Sequence, residues 1–243
     1  LDMDMYLRIS NEMYLKRLIV GGFERVYEIS VDFRNEGIDY KHNPEFTVME
    51  AMTAYENYFY GMELIEGLNE FLVKEAFGTT KITYEGKEIN LKRPWKRITM
   101  VEAVDAALKL DTLRMDIPTL KNECKRQKIN SQKLKGARSW GELLALLFEE
   151  KVESTLIQPT CVYNFPTEIT PLAKKCPDDP RFTESFEQYI NGWELGNNYT
   201  EINDPLDLKK RFIEEKDRAK AGFSEAHQND EDYLEAIMHG MPP

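Results

Sequence analysis

Asp32-Phe33-Arg34-Asn35-Glu36-Gly37 runs through Ile38-Asp39-Tyr40-Lys41 into His42-Asn43-Pro44-Glu45-Phe46-Thr47, and this stretch decides the fold. Upstream of it, Tyr27, Ile29, Val31 and Phe33 alternate with Glu28, Ser30, Asp32 and Arg34, the two-residue period of a strand. Downstream, Phe46, Val48, Glu50 and Met52 alternate with Thr47, Met49, Ala51 and Thr53. Polar residues with Gly and Pro lie between, so the spacing predicts strand, long loop and antiparallel strand. Hairpin loops of this length are more often functional than structural. Arg34 is a fixed cationic fork suited to phosphate or carboxylate. Glu36 and Glu50 are acceptors, and Phe46 offers a flat apolar face. Together they suit a nucleotide and a cationic small molecule; residues of these kinds also make an ordinary exposed hairpin with surface ion pairs.

Outward from the hairpin, Met5 to Ile9 reads as a short strand. Ser10 or Asn11 then caps a helix that buries Leu15, Leu18 and Ile19 and stops at Gly21-Gly22. Asn57 to Phe77 has helical periodicity, with Tyr58, Met62, Ile65, Leu68, Leu72 and Ala76 as a core stripe. Lys81–Tyr84 and Glu88–Leu91 flank a turn at Glu85-Gly86-Lys87. Thr99-Met100-Val101-Glu102 and Ser139-Trp140-Gly141-Glu142 are capping-box patterns. Residues 99–154 therefore read as a helical insertion between two parts of one domain, 1–98 and 155–243. The insertion carries a Lys- and Arg-rich stretch from Lys121 to Arg138, read as a solvated surface in preference to an RNA contact, because no aromatic residue interleaves it. Ser185–Ile190 and Trp193–Tyr199 read as strands about the turn Asn191-Gly192. Asp204 caps a helix begun by Pro205 with Leu208, Phe212 and Ile213 inward. Asp230 caps a last helix holding Tyr233, Leu234, Ile237 and Met238.

The chain has 243 residues, 42% of them hydrophobic, enough for one large domain with a buried core. Its net charge of −11 shows no general nucleic-acid surface, so any RNA contact is local. Three cysteines without paired spacing read as reduced thiols of a cytoplasmic protein. No apolar run approaches the ~18 residues of a membrane span. His227 and His239 have no metal-ligand spacing. Glu187, Glu194 and Glu201 are evenly spaced, and Glu187 and Glu194 meet if their strands form one hairpin. Two carboxylates facing a triphosphate suit Mg²⁺, which completes its shell with phosphate and water. Glu194 and Glu201 are an odd number of residues apart, so an ideal strand points them to opposite faces; a bulge near Gly196-Asn197-Asn198 would bring them together.

The string Phe33-Arg34-Asn35-Glu36-Gly37, then His42-Asn43-Pro44-Glu45-Phe46-Thr47, resembles the second signature motif of class II aminoacyl-tRNA synthetases, in the lysine, aspartate and asparagine branch. Leu1 to Ile9, Glu12 to Leu18, Leu156 to Thr160, Pro166 to Ala173 and Glu194 to Pro205 are similar to the lysyl-tRNA synthetase family. The resemblance implies an α+β fold, an antiparallel sheet with flanking helices. It implies ATP-dependent activation of lysine, transfer to tRNA(Lys), Mg²⁺ as cofactor and a homodimeric assembly. ATP would meet Arg34, Glu36, His42, Asn43 and Phe46, with Arg34 as the catalytic residue. Lysine would meet Glu12, Glu50, Met52, Asn197 and Glu201, and the metal Glu187 and Glu194.

Met52 departs from the family, which usually has Tyr there, and Asp32 from its more usual Asn. The resemblance also implies a piece of a catalytic domain, without the first and third motifs or the N-terminal anticodon-binding barrel. Such a piece is expected to bind ATP weakly, make little adenylate and associate through sheet edges. Two rivals are a truncated relative that lysylates a protein and a non-catalytic ligand-binding fragment.

Overall fold

The structure, a computed structural model, describes residues 3–220 and 231–243 except Glu36, Tyr40 and Lys41. In chain order its helices and strands are α1 (Glu12–Val20), β1 (Arg25–Phe33), β2 (Glu45–Thr53), α2 (Tyr58–Phe77), β3 (Lys81–Tyr84), β4 (Lys87–Asn90) and β5 (Lys96–Thr99). There follow α3 (Met100–Leu108), α4 (Ile117–Arg126), α5 (Ser131–Gly136), α6 (Trp140–Lys151), β6 (Thr160–Tyr163), β7 (Ser185–Ile190), β8 (Trp193–Tyr199), α7 (Pro205–Lys220) and α8 (Glu231–Met238). The chain forms two compact units, one of residues 1–56 with 203–243 and one of residues 57–202.

In the first unit β1 and β2 pair antiparallel with Asp32 opposite Phe46, Glu28 opposite Glu50 and Val26 opposite Met52. The alternation is as the sequence predicts, but the apolar face of the ribbon is the exposed one. Tyr27, Ile29 and Val31 lie open, while Ser30 and Asp32 on the other face are buried. α1 packs on both strands and α8 packs on α1. Met5 to Ile9 forms no strand. Among the described residues it meets the ribbon through Phe33 N–H donating to the Arg8 carbonyl at 2.7 Å, and Arg8 alone of its side chains is paired with the polar face. Leu18, Ile213 and Met238, expected inside, are exposed. Each lies beyond the narrow arc its helix turns to a neighbour, and on α1 the arc includes Lys16 at 1% exposure. Asp204 caps α7 through Leu206 N–H at 2.8 Å. Asp230, Glu36 and His227 lie outside the described residues.

In the second unit a four-stranded sheet has the order β5-β6-β7-β8, and β3-β4 is a separate hairpin. β6, β7 and β8 are antiparallel neighbours, whereas β5 and β6 run parallel, so the sheet is mixed and not wholly antiparallel. A parallel pair needs a crossover. Here it is supplied by α3 to α6, the helices expected for residues 99–154. Both capping boxes form, Thr99 with Glu102 and Ser139 with Glu142. Leu120, Leu143, Leu147 and Phe148 of these helices pack with Val162, Phe165 and Tyr189 into one core. On α2, Leu72 and Ala76 are exposed instead of buried, and Glu66 and Glu70 take inward positions. Ion pairs with Arg97 at 2.9 Å and Lys74 at 2.7 Å allow that burial. Among the described residues no helix is long and apolar enough to cross a membrane.

Candidate active-site residues

Arg34 leaves β1 with its side chain above the ring of Phe46, guanidinium carbon 5.3 Å from the ring centroid. Its Nε donates to the Ile9 carbonyl at 3.1 Å, which fixes the plane of the fork on an exposed residue. Arg34 N–H bonds the Pro44 carbonyl at 2.9 Å, closing the long loop at its base. Within the loop, His42 Nδ1 lies 2.9 Å from Asp39 and Asn43 Nδ2 donates to the Glu45 carbonyl at 2.7 Å. Both side chains are thus engaged by their own loop, apart from the Arg34–Phe46 platform.

Behind the platform the buried face of the ribbon is a layer of carboxylates. Arg8 reaches Glu28 at 2.8 Å and Asp32 at 3.2 Å. Arg8 holds the Glu28 carboxyl below the usual range. Glu12, the first residue of α1, pairs with buried Lys16 at 2.7 Å. Lys16 in turn lies 5.4 Å from the ring centroid of Tyr233. Glu50 has no ion pair among the described residues, and the Lys16 charge is the smallest of the influences on it. Ser10 Oγ donates to its Oε1 at 3.3 Å, and its Oε2 is buried with no hydrogen-bond partner among the described residues. Burial first, then the neighbouring Glu12 carboxylate, pushes the Glu50 carboxyl upward. Met52 lies on the same face, one alternation further from the loop. Sequence reasoning found Glu12 and Glu50 but missed Arg8, Ser10 and Lys16. The four-residue step from Glu12 to Lys16 was the one available signal; Arg8 and Ser10 carried none.

In the second unit β7 and β8 turn at Asn191 and Gly192, both left-handed with φ of 54° and 73°. Glu187 lies opposite Asn197, Gln188 opposite Gly196 and Tyr189 opposite Glu194. Leu195 is the extra residue, so the strand bulges there and Asn197 joins the face of Glu187, Tyr189 and Glu194. The parity is thus restored one residue before the expected Gly196–Asn198. Gly196 lies beside the bulge, and a Cβ there would stand 2.8 Å from Gln188 Nε2, so the Gln188 amide would have to move. The Glu187 carboxylate accepts from the Tyr189 hydroxyl and from Asn197 Nδ2. Burial first, then Glu194, pushes its carboxyl well above the usual range, with Glu153 and Glu149 adding to the effect. Glu201, past the end of β8, bridges to Ala173.

Among the described residues no three His, Cys, Asp or Glu are spaced to hold a metal ion. Glu187 and Glu194 nevertheless fit a hard divalent cation that takes one or two carboxylates and draws its other oxygens from phosphate. The Glu187 carboxylate, raised by burial and by the Glu194 charge, is stabilised by such an ion. The cysteines offer no nucleophile: Cys124, Cys161 and Cys176 are free and buried. Burial pushes their thiols up to about 11, 12 and 11.

The whole chain, residues 1–243, matches the family described as tRNA synthetases class II (D, K and N). It is 49% identical over 243 residues to the lysine–tRNA ligases of Thermoanaerobacter sp. (strain X514) and Pelotomaculum thermopropionicum, all of this chain aligning with 48% of each relative. It is 47% identical to that of Bacillus subtilis (strain 168), again over 48% of the relative. The chain thus spans about half the length of the curated relatives it matches. With its signature hairpin formed and its full length matched, the chain belongs to the class II tRNA synthetases of the aspartate, lysine and asparagine group.

Proposed function

We propose that the protein from which this chain comes activates lysine with ATP and transfers it to tRNA(Lys). The observation that carries the choice of lysine is Glu50. A half-buried carboxylate faced by other carboxylates, with no ion pair among the described residues, lacks a cation, and an ammonium group supplies it. Arg8 and Lys16 already serve Glu28, Asp32 and Glu12, so the unmet charge falls on Glu50. On this reading Glu50 and Glu201 receive the side-chain ammonium and Glu12 the α-amino group. Met52 and Asn197 line the bound amino acid.

Phe46 would stack on adenine, and Arg34 would span the lysine carboxylate and the α-phosphate. That carboxylate is already ionised near neutral pH, so its attack on the α-phosphorus needs no general base. The bond to pyrophosphate breaks as the bond to the carboxylate forms, and Arg34 stabilises the charge that gathers on the α-phosphate oxygens. Glu187 and Glu194 would hold Mg²⁺, whose charge, when bound, offsets that of the triphosphate. Glu36, His42 and Asn43 are proposed ATP contacts from the loop. Residues 99–154 serve as the helical insertion, and their place as a crossover between β5 and β6 supports this. A homodimer and a cytoplasmic location belong to the same reading; three free thiols favour a reducing compartment.

Lysine-dependent exchange of labelled pyrophosphate into ATP tests the proposal. Arg34→Ala is expected to lower exchange by about two orders of magnitude or more, roughly 3 kcal/mol of transition-state stabilisation, with an unchanged thermal midpoint. Exchange near the parent level in that variant would remove Arg34 from the mechanism.

A further inference from the structure

We propose that the corner formed by α4 and α5 is a docking surface for the phosphate backbone of double-helical RNA. The proposal deepens the reading of tRNA as the acceptor and rests on it. Between Ile117 and Arg138 the chain carries seven Lys or Arg and one acid, Glu123, in a protein whose net charge is −11. Leu120, Cys124, Ile129, Leu134 and Ala137 of this segment are buried in the helical core, which turns the intervening positions outward. Lys128 takes a left-handed conformation with φ 61°, reversing the chain so that α4 and α5 pack together. Lys125, Lys128 and Lys135 all project into solvent.

Two of the cations are already engaged: Arg126 with Glu123 at 2.7 Å and Lys133 with Glu150 at 2.7 Å. Lys125, Lys128 and Lys135 make no ion pair among the described residues, so their charge is open to a partner. That partner is a polyanion. The segment holds no aromatic residue, so it has no platform for unstacked bases and no anchor of the kind that dominates protein interfaces. Asn122, Ser131 and Gln132 are exposed among the lysines. Amide and hydroxyl groups of this kind, with Lys and Arg, make contacts to phosphate and sugar oxygens. The absence of aromatic interleaving therefore selects a duplex backbone over a single strand.

Fluorescence anisotropy of a labelled tRNA(Lys) transcript, titrated with the 243-residue chain at several salt concentrations, tests the surface. The triple variant Lys125→Gln, Lys128→Gln, Lys135→Gln is expected to bind about tenfold or more weakly near physiological salt. Its dependence of log K on log salt should flatten by about two to three units, close to one per lost phosphate contact. A control triple variant, Lys81→Gln, Lys92→Gln, Lys96→Gln, should keep the parent affinity and slope, and far-UV circular dichroism should be the same for all three proteins. Parent-like affinity and slope in the α4–α5 variant would overturn the proposal. So would binding of polyglutamate as tight as that of the tRNA, which would make the surface a site for acidic protein. Pyrophosphate exchange is read separately. A longer protein containing this chain that shows no lysine-dependent exchange, while the α4–α5 effect is intact, counts against the ligase reading and leaves the surface standing.

Discussion

Each unit of the chain holds a group of neighbouring carboxylates, and the two are surrounded differently. On the β1–β2 ribbon, Glu12, Glu28 and Asp32 have Lys16 and Arg8 beside them, whereas Glu50, among the described residues, meets a hydroxyl and no ion pair. On the β7–β8 hairpin, Glu187 has a phenol and an amide, and the charged groups that act on it are further carboxylates. The first group lacks one cationic partner at a defined place, the specification of an ammonium site. In the second, Glu187 meets a hydroxyl, an amide and further carboxylates, which suits a multivalent cation held jointly with a phosphate chain. The same residue type therefore serves two chemistries, and the neighbouring cations decide which.

The largest expected effect breaks the second group. Glu187→Gln should lower lysine-dependent exchange by about two orders of magnitude or more. It should also abolish the rise in thermal midpoint that Mg²⁺ with ATP gives the parent chain. A variant that keeps both the exchange rate and the Mg²⁺-dependent midpoint shift would show that the hairpin acids hold no metal.

The next breaks the first group. Glu50→Gln removes the carboxylate that would meet the ligand ammonium, and calorimetry should show lysine binding weaker by about 2–3 kcal/mol, the scale of a charge-assisted hydrogen bond. The same variant has a signature without ligand. Because the folded-state pKa of Glu50 is raised, the fold prefers it protonated. Its ionisation therefore costs stability as pH rises from the usual carboxylate range through the raised value. Glu50→Gln should melt higher than the parent at neutral pH, by about 2–4 °C for each kcal/mol relieved. The difference should vanish below the usual carboxylate range, where both states of the parent carry the proton. Equal midpoints at every pH would mean that Glu50 is compensated after all.

The smallest effect sharpens the comparison. Met52 shares the polar face of the ribbon with Glu50 and brings no polar atom to it besides a thioether. Met52→Tyr adds one hydroxyl near the expected ammonium and should tighten lysine binding by about 1 kcal/mol, roughly fivefold. An unchanged dissociation constant would place position 52 outside the contact.

How much was legible depended on the range of the interaction involved. The capping boxes at Thr99 and Ser139, the turn at Asn191-Gly192 and the cap at Asp204 all formed as read, because each is a bond between residues two or three apart. The β1–β2 alternation was equally plain. It defines two faces, however, and does not say which is covered. Here the polar face is buried, since Arg8, Lys16 and Ser10 satisfy much of it. Leu18, Leu72, Ile213 and Met238 were misjudged for a related reason. An apolar stripe marks the positions able to face a core, and packing selects among them.

By itself the sequence determined the elements and the family. Local hydrogen bonds and periodicity set the former, and the ordered string from Phe33 to Thr47 set the latter. Only the tertiary structure decided that Leu195 is the bulged residue that brings Asn197 to the face of Glu187 and Glu194. It alone placed β5 parallel to β6 and left Glu50 Oε2 buried with no hydrogen-bond partner among the described residues. These outcomes depend on pairing register and on the charges brought together across it. Neighbouring residues along the chain do not encode them, because they are settled when segments distant in sequence compete for the same partners.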